Sequence, residues 1–396
     1  MKNIGLDLRL YGYQHGGIGR YCRELFPRIL AMDKENKYFL FVNEKDWSVL
    51  VGKGLDPSLR GNPALTSDIV ESDRVKIIPT NIRHYSLREQ LSFYKVLDKY
   101  NLDLVHFPNF NVPILYKKPF VVTIHDMVHH KIGGAKKSHF LHFLAYKKVI
   151  QNAAEKAKKI ITVSETSKRD IAKYLQIADD KIRVIYEGSS LNADVAETLV
   201  GKVKKSYLIT RPYFLFVGVL ERKKNLVNLT RGFDYFLQKY KANMDMVVVG
   251  KADSHYPEIR YKALDIKHSD RLVFTGTVDD WELRALYKGA YAFVSASLHE
   301  GFGLPGVEAL GFGLPLLVSN TPVFNEIYDN AAIYFNPLDP EDIGEKMNLL
   351  VRDGQFYEQL SGKSFGRLQL FDWNKAARET LDVYQTVSLS GKTETL

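Results

Sequence analysis

Short, largely apolar runs alternate with amphipathic stretches along the whole chain, and the series occurs twice. In the first half the runs are Ile4–Leu8, Tyr38–Val42, Val75–Ile78, Leu104–His106, Phe120–Ile124, Ile160–Val163 and Arg183–Tyr186. The second half repeats the theme with Phe214–Val217, Met246–Val249, Leu272–Phe274, Ala292–Val294, Leu316–Val318 and Ile333–Phe335. Helical stretches such as Ile18–Ala31, Ser86–Tyr100 and Ser164–Leu175 lie between them. A strand without a polar face must be covered on both sides, and intervening helices supply that cover while making the strands parallel. The pattern predicts an α/β protein of two doubly wound, Rossmann-like domains. A chain of 396 residues is also too long for one ordinary core. The alternation breaks near Gly188-Ser189-Ser190, which puts one domain at 1–190 and the other at 191–373. Residues 51–73, rich in Gly, Pro, Ser and Asp, read as a long mobile loop, and Gly391–Leu396 as a disordered tail.

Composition narrows the class. The chain is 45% hydrophobic and 26% charged, as a folded soluble protein is. Met1–Leu8 reads as a first strand and lacks the apolar core of a signal peptide, and the apolar runs are too short to span a bilayer. A single cysteine, Cys22, excludes internal disulfides and Cys-type metal clusters, which suggests a reducing, cytoplasmic location. Charge is unevenly divided. Residues 1–205 carry +12 (34 Lys and Arg against 22 Asp and Glu), while residues 206–396 carry −3 (21 against 24). The first half should therefore face something anionic. Its densest part holds Lys131, Lys136, Lys137, Lys147, Lys148, Lys156, Lys158 and Lys159 against Glu155 alone. With Phe140, Leu141, Phe143, Leu144, Tyr146 and Val149 it forms an amphipathic basic helix. That helix suits an anionic membrane surface, and equally a solvated cover for the core. Nucleic acid would suit the charge too, but no recognised reading module accompanies it.

The segment Ser297–Gly311 carries the strongest chemical signal. Glu300 and Glu308 stand eight positions apart around the glycine loop Gly301-Phe302-Gly303-Leu304-Pro305-Gly306, between an apolar strand and a helix. Such a turn aims backbone N–H groups and the positive helix end at a ligand above the sheet edge, which favours phosphate. Carboxylates repel phosphate, so Glu300 and Glu308 should address hydroxyls on either side of it, as on a sugar and a ribose. The loop also fits the G-x-G-x-x-G pattern of dinucleotide folds, but Val318-Ser319-Asn320-Thr321 supplies no acid at the end of the next strand. A tight turn with merely solvated glutamates is the plain alternative; the apolar Phe302 and Leu304 within the loop argue against it.

Other motifs sit at corresponding places. Gly16-Gly17-Ile18-Gly19-Arg20-Tyr21 lies between the first strand and first helix, where glycine admits a ligand close to the backbone or simply makes a tight turn. His125-Asp126 ends a central strand, the edge where open α/β sheets bind ligands. A metal site with His129 and His130 is disfavoured, because no carboxylate or His pair at helical ligand spacing accompanies them. Arg222-Lys223-Lys224 opens the first helix of the second half, where three cations oppose the helix dipole unless an anion such as a diphosphate sits there. Simple surface charge is the alternative.

Together these pieces resemble the retaining glycosyltransferases of the GT-B fold, family four, over nearly the whole chain. The resemblance is carried by the Gly-Gly-Ile-Gly-Arg-Tyr loop, His125-Asp126, Ser164-Glu165-Thr166-Ser167, Lys223-Lys224-Asn225, the Glu-x7-Glu segment and Phe371-Asp372-Trp373-Asn374. It implies two domains facing across a cleft, the first binding acceptor and the second the nucleotide sugar, with a last helix at 374–390 returning to the first. By the same resemblance Glu308 would hold ribose hydroxyls, and Glu300 with the amides of Phe302, Gly303 and Leu304 would meet donor sugar and phosphate. Lys224, with Lys223 or Arg222, would neutralise the departing diphosphate; Gly17 would approach the phosphate and His125 the donor sugar. Asp126 would orient His125 or the acceptor. Many relatives carry Pro-Arg-Lys-Asn here, so Lys223 stands where an arginine is common and lacks its bidentate fork.

The resemblance further implies chemistry without a metal or other cofactor, since the chain has no Asp-x-Asp triplet and helix ends with lysines can stabilise the leaving group. Bacterial O-antigen and capsule mannosyltransferases look nearest, which makes GDP-mannose the first donor and UDP-hexoses, UDP-N-acetylhexosamines and dTDP-rhamnose its competitors. A lipid-linked saccharide on the inner membrane face is the expected acceptor. A nucleotide-sugar epimerase and a non-catalytic binder of anionic membranes are the other classes.

Overall fold

The computed structural model describes residues 1–12, 15–44, 69, 71–131, 137–189, 194–253 and 256–390. It divides into two compact units, Met1–Glu187 with Asp372–Leu396, and Gly188–Phe371. Most of the expected loop 51–73, the tail 391–396 and the side chains of Lys131, Lys136, Lys137, Phe140 and Leu141 lie outside the described residues.

The first unit is built on seven parallel strands: β1 (Asn3–Leu8), β2 (Lys37–Asn43), β3 (Val75–Thr80), β4 (Leu104–Phe107), β5 (Phe120–Thr123), β6 (Lys159–Thr162) and β7 (Ile182–Val184). Their order is β3-β2-β1-β4-β5-β6-β7, with Ile4 registered against Tyr38 on one side and Leu104 on the other. Winding reverses between β1 and β4, so the loops at their carboxyl ends diverge and leave a crevice there. Leu6, Leu8, Leu40, Phe41, Val105 and Val122 are fully buried, each contributing about 1.5–3 kcal/mol of apolar transfer.

Helix Gly16–Met32 buries Tyr21, Cys22, Leu25, Phe26 and Ile29 along one stripe. The final helix, Trp373–Ser390, belongs to this unit and meets that stripe: the Trp373 and Tyr21 rings lie 5.9 Å apart. Tyr384 of the same helix places its hydroxyl 2.6 Å from Nδ1 of the buried His106. In helix Lys137–Lys156, Val149, Ile150, Ala153 and Ala154 enter the core, while Leu144, Lys147 and Lys148 stay exposed. The stretch expected as one helix over Ser86–Tyr100 contains a π-helical segment, Glu89–Phe93, followed by α-helix Tyr94–Asp98. Among the described residues no helix is long and apolar enough to cross a membrane.

The second unit has six parallel strands: β8 (Tyr213–Val217), β9 (Asp245–Val249), β10 (Leu272–Gly276), β11 (Ala292–Ser295), β12 (Leu316–Ser319) and β13 (Ala332–Phe335). Their order, β10-β9-β8-β11-β12-β13, reverses between β8 and β11. Phe214, Phe216, Phe233, Phe236, Met246, Val248 and Val294 form the heart of its core. The segment Arg222–Lys224 is a 3₁₀ turn rather than the start of the helix. The helix proper, Leu226–Tyr240, begins behind Asn225, whose φ is 53°.

Gly19 shows how tightly the loop after β1 is held. A Cβ there would stand 2.0 Å from the carbonyl oxygen of Gly12. Gly19→Ala is expected to destabilise the first unit by about 1–3 kcal/mol, read as a lower denaturant midpoint. An unchanged midpoint would mean that helix and loop are not pinned together.

Candidate active site

The loops after β8 and β11 leave the second sheet where its winding reverses, and they bring Lys224 and Glu300 together. Lys224 Nζ lies 2.5 Å from Glu300 Oε1, and each side chain is only 13% exposed. The loops are stitched by the amide of Leu298, which donates to the carbonyl of Lys223 at 2.8 Å. Burial alone would raise the Glu300 pKa. Lys224 and Lys223 nearby, with hydrogen bonds from Lys224 and Ser297, overcome burial and hold the carboxyl below its ordinary value. Ser297 is itself buried, 3.1 Å from the Ser295 hydroxyl.

The three cations are not left facing a helix dipole. Arg222 turns to Glu258 at 3.4 Å and lies 4.9 Å over the Tyr256 ring. Lys223 lies 3.2 Å from Glu221. Lys224 meets Glu300 of the glycine loop directly, with Lys223 close by.

That loop is rigid. Gly303 caps helix Leu304–Gly311 with φ 96°, a left-handed value that disfavours side chains. The Tyr328 hydroxyl donates to the Gly303 carbonyl at 2.6 Å and would stand 2.3 Å from any Cβ added at Gly303. Phe302 and Leu304 are buried, and Phe302 packs edge-on to Phe371 at 5.5 Å. Their side chains anchor the loop from beneath, so what they can present to a ligand is backbone. Glu308 sits in the following helix, 3% exposed, with its Oε2 3.1 Å from the Tyr287 hydroxyl. Burial, above all, pushes the Tyr328 hydroxyl pKa well up, with Glu300 and Glu308 among the further causes. Neither Tyr287 nor Tyr328 was marked in the sequence by any motif.

In the first unit, His125 follows β5. Its Nε2 lies 3.0 Å from the Pro108 carbonyl, so Nε2 carries the proton that bonds it. Nδ1 faces Glu187 Oε1 at 3.5 Å, and the Tyr21 ring stands edge-on at 4.8 Å. Beneath lies a buried chain in which Thr123 bridges Tyr21 and His106, at 3.1 and 2.8 Å. Burial, with His125 nearby, lowers the His106 pKa to about 3. Ser164 caps helix Glu165–Leu175 by accepting from the Ser167 amide, and the Ser167 hydroxyl donates to the His125 carbonyl at 3.0 Å. The Ser-Glu-Thr-Ser motif thus fixes the histidine's backbone.

Asp126 Oδ1 accepts from the Val128 amide at 2.9 Å at the start of the short helix Val128–Lys131, while the carboxylate facing His125 is Glu187. Glu187 lies at the end of its sheet, some sixty residues from His125, and only the fold reveals the pairing. Gly17 lies in the first turn of helix Gly16–Met32, where a Cβ would meet nothing within 4 Å among the described residues.

Two doubly wound parallel sheets, with these residues at the carboxyl ends of their strands, define the GT-B class of glycosyltransferase. Residues 15–192 match the family described as Glycosyltransferase Family 4, and residues 202–365 match Glycosyl transferases group 1; the chain belongs to the family-four glycosyltransferases. An O-antigen chain mannosyltransferase of Salmonella typhimurium is 28% identical over 278 residues, 70% of this chain and 72% of that protein. A UDP-Gal:α-D-GlcNAc-diphosphoundecaprenol α-1,3-galactosyltransferase of Escherichia coli is 26% identical over 331 residues, 78% of this chain and 83% of that one. Among solved structures, sucrose-phosphate synthase from Thermosynechococcus elongatus has a TM-score of 0.74 over 98% of this chain and 100% of that chain, at 19% identity, a likeness of fold.

The ion pair has a pH signature. The Glu300 carboxyl is held below its unfolded value of about 4.3, so its stabilisation is fully present above that pH and is lost as pH falls through the folded value. On acidification below about pH 5 the parent protein should lose more stability than Glu300→Gln, whose amide does not titrate. Superimposable acid limbs in the two melting profiles would remove the pair from the stability of the folded unit.

Proposed function

We propose that the chain is a retaining hexosyltransferase that needs no metal, taking mannose from GDP-mannose to a lipid-linked saccharide in bacterial cell-surface polysaccharide synthesis. The observation that carries this reading is the Lys224–Glu300 pair on the glycine loop. A dianionic diphosphate above that loop competes with Glu300 for Lys224. As the ammonium turns to phosphate, the Glu300 carboxylate becomes available to accept from a donor-sugar hydroxyl. The amides around Gly303 and the positive end of helix Leu304–Gly311 add fixed donors for the same phosphate. Glu308, one turn further into that helix, accepts from the ribose hydroxyls. Lys223 adds charge without the bidentate fork an arginine would give.

Transfer then proceeds on one face of the sugar. The bond between the anomeric carbon and the diphosphate oxygen breaks as the acceptor oxygen bonds to the same carbon. The acceptor's proton passes to the leaving phosphate, and Lys224 holds the charge that develops there. His125, with its Nε2–H committed to the Pro108 carbonyl, accepts at Nδ1 from a donor-sugar hydroxyl. Gly17 leaves room for the phosphate's approach.

Mannose is supported by the name of the Salmonella relative, and a lipid-linked acceptor by that of the Escherichia coli galactosyltransferase. The +12 charge of residues 1–205 suits a membrane surface bearing such a lipid, with the enzyme peripheral on its cytoplasmic face.

A screen of radiolabelled GDP-mannose, UDP-hexoses, UDP-N-acetylhexosamines and dTDP-rhamnose with lipid extract tests the donor. Label from GDP-mannose should enter the lipid fraction, in EDTA as without it, with the donor's anomeric configuration kept in the product. Label entering only from another donor would overturn the mannose assignment, and interconversion of free nucleotide sugars would favour an epimerase. Lys224→Ala should lower kcat about 10²–10³-fold. Glu308→Ala should weaken donor affinity about tenfold by calorimetry. Normal turnover in the first, or unchanged affinity in the second, would contradict the assigned roles.

A further inference from the structure

The carboxyl edge of the first sheet holds a second polar cluster, outside the motifs and outside the donor loop. Arg9 follows β1 and is 1% exposed. Its guanidinium reaches Asp7 at 2.8 and 2.7 Å and Glu89 at 2.6 Å, and lies 3.5 Å over the Phe93 ring. His84 stands 3.1 Å from Glu89 and 3.8 Å from Asp7. Asp7, His84 and Glu89 are close enough to hold a metal ion, yet the Arg9 guanidinium already bridges the two carboxylates and supplies their counter-charge.

Burying such a triad is a poor way to gain stability. What it does is hold one residue. The free oxygen of Glu89 accepts from the Tyr85 amide at 2.7 Å and from the Asn111 side chain. Tyr85 has φ 58°, a left-handed value costly for a bulky side chain. Its hydroxyl accepts from the Asn109 amide at 2.6 Å. The π-helical segment Glu89–Phe93 places Glu89 for this task, and π segments are frequent at functional sites.

So held, Tyr85 remains 60% exposed. Beside it lies the Phe110 ring at 6.2 Å, with Tyr146 edge-on to Phe110 at 5.1 Å. A left-handed backbone, a buried ion network and an amide hydrogen bond thus hold an aromatic side chain that stays largely exposed.

We propose that the Tyr85 ring, flanked by Phe110 with Asn109 at its rim, is the platform on which a pyranose of the acceptor saccharide stacks. Tyr85 is then a specificity-determining residue of the transfer. A pyranose has a face of C–H groups and a rim of hydroxyls. The C–H face suits the electron-rich face of an aromatic ring, and the hydroxyls suit the Asn109 amide. The inference deepens the glycosyl-transfer reading and rests on it for the name of the ligand, while the stacking itself can be measured without turnover.

Saturation-transfer NMR on the full chain, with the methyl α-glycosides of mannose, glucose, galactose and N-acetylglucosamine as probes, tests it. In the parent protein, saturation of the aromatic protons should reach the ring C–H protons of at least one glycoside. Tyr85→Gly, which relieves the left-handed backbone and should melt no lower than the parent, should abolish that transfer; Tyr85→Phe should keep it. In turnover, Tyr85→Gly should raise the acceptor KM about tenfold with the donor KM unchanged, and Tyr85→Phe should restore it. Saturation transfer that persists in Tyr85→Gly, or that is absent for all four glycosides in the parent, overturns the platform. Stacking in a parent protein that transfers no hexose overturns the glycosyl-transfer reading and supports the platform.

Discussion

A lysine and a glutamate 2.5 Å apart, nearly removed from water at the edge of a parallel sheet, are the contact on which the proposed transfer depends. Such a pair is a poor structural investment, because desolvating two charges offsets most of their attraction. It makes sense where one partner is to be exchanged. The glycine loop that carries Glu300 is held by Tyr328 at Gly303, by Phe302 against Phe371 and by the strand pairing of β11 and β12. The loop that carries Lys224 is tied to it through Leu298 and Lys223. Both charges therefore arrive in fixed positions, and in the proposed transfer a diphosphate displaces only a side-chain contact.

The first unit follows a similar logic with different residues. His125 is held at its carbonyl by Ser167, at Nε2 by Pro108, and at its ring by Tyr21 and Glu187. Arg9, Asp7 and Glu89 fix a second position on the same sheet edge, and there the side chain presented is Tyr85. In each case a buried polar network whose own stabilisation is doubtful positions one group that remains accessible.

The fold was legible in the sequence because parallel strands covered on both faces leave an unmistakable pattern. Each apolar run singled out, from Ile4–Leu8 to Ile333–Phe335, forms a strand, with ends displaced by at most two residues. Arg183–Tyr186 shifted most, since pairing with β6 ends at Val184. The glycine loop, Glu300, Glu308, Lys224 and His125 could be singled out because their motifs are local. Their supports could not. Tyr328, Tyr287, Glu187 and the Arg9 cluster are assembled from segments far apart in the chain, and none carries a signature of its own. Local patterning also misjudged Arg222–Lys224: read as a helix start, the three cations conflict with the dipole, but Asn225 in a left-handed conformation delays the helix and Glu258, Glu221 and Glu300 each meet one cation. The π-helical segment Glu89–Phe93, whose Glu89 meets Arg9 from a distant part of the chain, carried no local signature either.

The most direct test of the account is a crystal structure of the protein with GDP-mannose bound. In that complex Lys224 should leave Glu300 for a diphosphate oxygen, the same phosphate should meet the amides at Gly303, and the ribose hydroxyls should bond Glu308. A nucleotide bound elsewhere, or a Lys224–Glu300 pair left intact beneath a bound diphosphate, would contradict it.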